Sequence, residues 1–234
     1  MSKSKGNVVN PLEALDKWGV DGVRWYLMRN GGSLADDADY SEEELAVSYR
    51  VLADQVGNLL SRISSPKVLG KMGKFEERDR DSDVEEKLNG LRERVLGHME
   101  GYAVTRACES KLEVVATVGP SLPLPILVSM DHPSLYKVLI ADKQANRMVT
   151  TLQPWASPNP TKAIVYAYET LRISAILMEP YMPTKASELL DRLGVEATQR
   201  RWEQCVFNHD VDIQRLVKGL KEGKKSGHLF PSVK

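Results

Sequence analysis

A lysine set among small polar residues opens the sequence: Met1 is followed by Ser2-Lys3-Ser4-Lys5-Gly6. Such a loop suits a nucleotide-phosphate site, because serine and glycine let the backbone move over a substrate and an ammonium meets charge developing on phosphate oxygens. A second set lies further along. Asn58 and Arg62 stand four residues apart, hence on one helix face, beside the apolar stripe of that helix rather than within it. An Asn amide presents a donor and an acceptor to a base edge, and Arg supplies a charged fork. Trp155, directly after a helix-ending Pro154, offers a flat stacking surface. On residue type and spacing alone, a polar N-terminus, two solvated surface residues and an ordinary core tryptophan fit the same positions.

The other reactive residue types carry no such pattern. Cys108 and Cys205 lie far apart without C-x-x-C spacing, which supports neither a disulfide framework nor a cysteine-rich zinc site and fits a reducing compartment. His98, His132, His209 and His228 have no metal-ligand spacing with one another or with carboxylates, so no metal is assigned. Asp36, Asp37 and Asp39 read as solvated acids leading into a helix cap. A formal net charge of zero excludes holding nucleic acid by bulk electrostatics but leaves room for a local basic face. The 234 residues, 42% hydrophobic and 27% charged, have the composition of a folded globular protein of one or two domains. Met1 to Gly6 are too polar for a signal peptide and no run of about 18 apolar residues is present, so no membrane partner is expected.

The elements that must position these residues are helical. Asn10-Pro11 offers a cap and a first-turn proline for a short helix that stops at Gly19; Asp21 caps a second, which Asn30-Gly31-Gly32 ends. Ser41 and Glu44 have capping-box spacing, and Leu45, Tyr49, Leu52, Val56, Leu59 and Ile63 follow at alternating steps of four and three. Ser82 with Glu85 repeats the start signal for a stripe of Val84, Leu88, Leu91, Val95 and Met99 that runs to Gly101; residues 67–81 between them read as an exposed connection. Further helical patterns cover 103–117, 139–152, 161–178, 184–193 and 211–220, and no strand alternation appears. Residues 118–136, with Gly119, Pro120, Pro123, Pro125 and Pro133, cannot continue a helix and read as an inserted or intron-derived loop.

Residues 1–11, Met1-Ser2-Lys3-Ser4-Lys5-Gly6-Asn7-Val8-Val9-Asn10-Pro11, resemble the KMSKS signature of class I aminoacyl-tRNA synthetases, with the downstream G-N-V-V-D-P of the methionyl branch; Asn10 replaces the usual Asp. Gly19-Val20-Asp21-Gly22-Val23-Arg24-Trp25-Tyr26-Leu27 is similar to that family's G-V-D-A-x-R-Y-Y-L helix, and Asp37-Ala38-Asp39-Tyr40-Ser41-Glu42-Glu43 to its D-G-D-F-S-E-E turn. Gly57-Asn58-Leu59-Leu60-Ser61-Arg62 resembles its anticodon-helix motif, and Ala145-Asn146-Arg147-Met148 with Gln153-Pro154-Trp155 its N-R-Y-I and A-P-W pair. Leu177-Met178-Glu179-Pro180-Tyr181-Met182-Pro183 and Leu229-Phe230-Pro231 are also typical of it. The resemblance is to methionyl-tRNA synthetases of the bacterial and mitochondrial type.

It implies an all-α bundle of the class I anticodon-binding type over residues 41–234, preceded over 1–40 by the KMSKS loop and two short helices from the end of the catalytic module. It implies part of a methionine–tRNA ligase that charges methionine tRNA through methionyl-adenylate, with ATP used in a magnesium-dependent way by the complete enzyme. Lys3, with Met1, Ser2 and Ser4, is then the catalytic loop that meets the pyrophosphate side of the transition state; Asn58, Arg62 and Trp155 are the site for the CAU anticodon. Two departures stand out: the sequence begins inside KMSKS, without the first lysine or the upstream nucleotide-binding fold with its HIGH motif and methionine pocket, and 118–136 interrupts the family pattern. Alone, the chain is expected not to activate methionine; methionine and ATP become partners with the missing half. A stand-alone tRNA-binding accessory module is the competing expectation. The mitochondrial matrix is the expected location, with the bacterial cytoplasm as the alternative.

Overall fold

Some of the helices begin where the sequence supplies a side-chain acceptor, and some end where it supplies glycine. In the computed structural model, which describes residues 10–31, 40–118, 152–223 and 227–233, Asn10 accepts the N–H of Leu12 at 3.1 Å and Pro11 starts helix α1 (Pro11–Gly31). Gly19, at φ 73°, kinks α1 into the two short helices expected from the sequence. Ser41 accepts the Glu44 N–H and caps α2 (Glu42–Leu52), which passes through a π turn (Ala53–Gly57) into α3 (Asn58–Ile63). Its stripe from Leu45 to Ile63 is buried throughout. Then come α4 (Pro66–Leu69), α5 (Ser82–Asn89), α6 (Leu91–Glu100), α7 (Val104–Val118), α8 (Thr161–Met178), α9 (Pro183–Arg192) and α10 (Ile213–Glu222). Among the described residues there is no strand, and the fold is all-α. No helix among them is long and apolar enough to cross a membrane.

Several local expectations are corrected. Asp21 does not cap its own helix; it is buried, and its carboxylate accepts the Lys185 N–H at 2.5 Å. The cap of α5 is Asp81 rather than Ser82, and Glu85 turns inward to Arg80 and Tyr166. Gly90 breaks the stripe of 84–99 into α5 and α6, and Met99 at its end is partly exposed, its Sδ accepting from the Tyr181 hydroxyl. The stretch 67–81 is more than an exposed connection: Val68 and Leu69 are buried, and Met72 and Phe75 pack against the core. The pattern at 139–151, the segment beyond Val118, the residues of the opening loop, Ala145 to Met148 and the acids Asp36, Asp37 and Asp39 lie outside the described residues.

The core gathers around α8. Apolar residues occur on all its sides, so it is buried on all of them, against α3, α5, α7 and α9. Trp25 of α1 belongs to the same core cluster as α8 and the C-terminal Leu229 and Phe230. Both cysteines are free and buried; burial pushes the Cys108 thiol up to about 11 and that of Cys205 up to about 12, so both stay protonated at neutral pH.

One charge is buried against this logic. Lys111 of α7 is fully buried, its ammonium 3.7 Å from the Tyr181 ring centre and donating to the Ala107 carbonyl at 3.0 Å. Burial pulls its pKa from 10.5 down to about 8. The unfolded chain then holds this proton up to a higher pH than the folded one. The cost of burying the ammonium is fully present below pH 8 and is relieved between pH 8 and 10.5, so this group makes stability rise with pH across that window. Lys111→Met keeps the packing of the stem and removes the charge. We expect it to flatten that rise and to stabilise the chain at pH 7 by up to about 3 kcal/mol, measured by urea denaturation from pH 7 to 10. A variant with the wild-type slope would show that the charge is not buried in solution.

Candidate nucleic-acid interface

Helix α3 is fixed by its inner face. Leu59, Leu60 and Ile63 are buried, which leaves Asn58 and Arg62 exposed on the opposite side, one turn apart. The π turn just before it loosens the helical winding at the point where this face begins, a common feature of functional helices. Asn58 Nδ2 donates to Asp54 Oδ1 at 3.4 Å, and burial raises the Asp54 carboxyl above its ordinary range. The carbonyl end of the Asn58 amide has no part in that bond.

Trp155 reaches this face from a tight turn. Gln153 takes the left-handed conformation at φ 38°, and its carbonyl accepts the N–H groups of Ala156 and Ser157 at 2.8 and 2.9 Å. Lys71 Nζ donates to the carbonyls of Trp155 at 3.3 Å and Ser157 at 3.4 Å, which ties the turn to the segment after α4. Further ties lie two residues on, where Asn159 Oδ1 accepts the Thr161 N–H at 3.1 Å and Thr161 Oγ1 accepts the Gly73 N–H at 2.8 Å. The ring that this turn presents is 49% exposed, and the Arg62 guanidinium carbon lies 5.6 Å from its centre. That is a cation–π contact at a surface, between residues 62 and 155 of the chain.

The arrangement offers a flat aromatic face, a charged fork against it and an amide one turn away: the chemistry that holds an unstacked base. The structure thus brings Arg62 and Trp155 together and sets Asn58 on the same helix face, and it does not bury Trp155 in the core. Lys3, Met1, Ser2 and Ser4 lie outside the described residues. Among the described residues no group of three or more His, Cys, Asp or Glu could hold a metal ion. Lys71 was not legible as a site residue, because it sits in a charged stretch with no helical spacing to single it out.

A family model described as tRNA synthetases class I (M) matches residues 1–64. A probable mitochondrial methionine–tRNA ligase of Neurospora crassa is 32% identical over 213 residues, covering 88% of this chain and 32% of its own length. The mitochondrial methionine–tRNA ligase of Bos taurus is 32% identical over 99% of this chain and 39% of its own length. The methionine–tRNA ligase of Mycobacterium leprae is 29% identical over 86% of this chain. The crystal structure of Mycobacterium tuberculosis methionyl-tRNA synthetase bound by methionyl-adenylate superposes with a TM-score of 0.61 at 27% identity, over 88% of this chain and 38% of that one. The chain spans about a third of the length of the curated relatives it matches.

Lys71 gives the turn a testable dependence. Lys71→Met should speed hydrogen exchange at the Ala156 and Ser157 amides while leaving the amides of α8 at their wild-type rates, since only the turn loses bonds. Unchanged exchange at both amides would mean that the turn holds itself.

Proposed function

The chain belongs to the methionyl-tRNA synthetases, and we propose that its bundle reads the CAU anticodon of methionine tRNA within a methionine–tRNA ligase. The observation that carries this reading is the contact of Arg62 with the half-exposed ring of Trp155, 5.6 Å apart on the outside of the bundle. A buried tryptophan would serve packing; this one leaves half its surface to solvent with a cation set against it. An unstacked anticodon base fits against such a ring, with Arg62 and Asn58 within reach of its polar edge. The zero net charge of the chain suits recognition through stacking and a few directed bonds rather than through a broad basic surface.

The rest of the reaction follows from the family. The methionine carboxylate attacks the α-phosphate of ATP and pyrophosphate leaves; a terminal ribose hydroxyl of the tRNA then attacks the methionyl carbonyl of the adenylate, and AMP leaves. Lys3, with Met1, Ser2 and Ser4, is the loop whose ammonium meets charge developing on the leaving pyrophosphate. Methionine, ATP and its magnesium are taken by the part of the enzyme that this chain does not align with. The mitochondrial matrix is the proposed location, supported by the mitochondrial relatives in Neurospora crassa and Bos taurus. We also take residues 1–40 as the tail of the catalytic module and 41–234 as the anticodon-binding domain.

Binding of methionine tRNA and of an anticodon-substituted version at one fixed salt concentration tests the site. Base stacking is worth about 1–3 kcal/mol, so Trp155→Ala should weaken binding of methionine tRNA roughly tenfold or more. Arg62→Ala should also narrow the gap between the two tRNAs, because a lost base contact removes discrimination. Equal losses for both tRNAs in both variants would make these residues nonspecific contacts.

A further inference from the structure

Asp21 and Arg24 stand one turn apart on α1 and hold the corner between α8 and α9 from both sides. The N-cap residue of α9, Met182, has no side-chain oxygen, and its first residue is Pro183. Asp21 supplies the missing acceptor from another helix, taking the Lys185 N–H at 2.5 Å. Arg24 donates through Nε to the Tyr181 carbonyl at 3.1 Å and through Nη2 to the Pro180 carbonyl at 2.8 Å, just past the end of α8. Each charge therefore meets the helix end of opposite partial charge. Trp25 adds an edge-to-face contact with Tyr181, ring centres 6.1 Å apart.

The two ends of α8 carry different things. Its 18 residues span about 27 Å. At its start, Thr161 ties in the segment that holds the Trp155 turn; past its end lies the corner gripped by Asp21 and Arg24. Helix α1, which carries the grip, begins at Pro11, a few residues along the chain from Lys3.

We propose that Asp21 and Arg24 are positioning residues: through the corner between α8 and α9, they fix where α1 stands relative to the surface of Arg62 and Trp155, so that a tRNA seated on that surface is presented to the catalytic module in one orientation. This rests on the proposed anticodon function. Neither residue touches substrate.

The test uses a complete ligase, made by joining this chain to the portion of the Neurospora relative that it does not cover. Three quantities are read for wild type, Arg24→Met, Arg24→Lys and Asp21→Asn: binding of an anticodon stem-loop, methionine-dependent ATP–pyrophosphate exchange without tRNA, and charging of whole methionine tRNA. A positioning role splits them. Stem-loop binding and exchange stay within about twofold of wild type, while kcat/KM for charging falls about tenfold or more in Arg24→Met and partly recovers in Arg24→Lys, which keeps a donor. Should Arg24→Met fail to fold, Asp21→Asn, which keeps an acceptor of the same shape, is expected to give a smaller split in the same direction. Unchanged charging overturns the proposal. So does a parallel fall of all three quantities with the melting temperature, which is what a purely structural role gives. A wild-type ligase that binds no stem-loop overturns the anticodon function itself, and the proposal with it.

Discussion

A helix buried on every side dictates terms to everything around it. Helix α8 has almost no solvent face on which to place its polar residues, so its buried charges and the Tyr166 hydroxyl must find partners inside, whereas the Thr170 and Ser174 hydroxyls are buried without a hydrogen bond. Glu169 and Arg172 pair at 2.6 Å, and the pair's remaining bonding capacity is met by backbone: Arg172 donates to the Gln204 and Val206 carbonyls at 2.7 Å each, and Glu169 accepts the Asn208 N–H at 3.2 Å. Tyr166 donates to Glu85 at 2.7 Å and accepts the Asp81 N–H at 2.6 Å, which fixes the start of α5. The Arg80 guanidinium beside Glu85 holds that carboxyl below the usual range. A buried ion pair of this kind adds little net stability, but removing one partner costs roughly 3–5 kcal/mol. Its effect is to specify: the irregular segment around 204–208 has one path because Glu169 and Arg172 need its backbone.

The same constraint explains why the candidate site is where it is. With the inner faces of α2 and α3 committed to the core, the outer face of α3 is free to hold polar residues. The turn before α8 must return the chain to the start of that helix. Lys71 and Thr161 close this turn with bonds to backbone, and the ring at its tip has no inner surface left to occupy. Trp155 is exposed as a consequence of how tightly the residues on either side are held.

Sequence legibility followed the physics of each feature. The stripe from Leu45 to Ile63 was readable because burial demands a repeat that spacing shows directly, and Asn58 and Arg62 were readable as lying outside it. Their meeting with Trp155 was accessible only through the family pattern, since no local rule relates residues so distant in the chain. Lys71 escaped because a bond from a flexible ammonium to two carbonyls leaves no periodic trace. The caps at Asp21 and Ser82 were misplaced for a related reason: a side-chain acceptor suits several nearby N–H groups, and tertiary contacts choose among them.

Helix α1 shows how far such contacts override composition. Its apolar residues do not share one face: Trp25 and Tyr26 are buried, whereas Leu12, Val20 and Leu27 are 69%, 58% and 52% exposed. Gly22, Trp25, Tyr26 and Arg29, at i, i+3, i+4 and i+7, form one buried face against α2 and α7, while other apolar residues stay outside it. The orientation observed is the one that brings Asp21 to the N–H of Lys185 and Arg24 to the carbonyls of Pro180 and Tyr181, even though it leaves Val20 and Leu27 in solvent. Directed bonds require a particular angle as well as a distance. The roll of α1 beyond its kink at Gly19 is therefore set jointly by its buried face against α2 and α7 and by the bonds of Asp21 and Arg24 to the corner between α8 and α9.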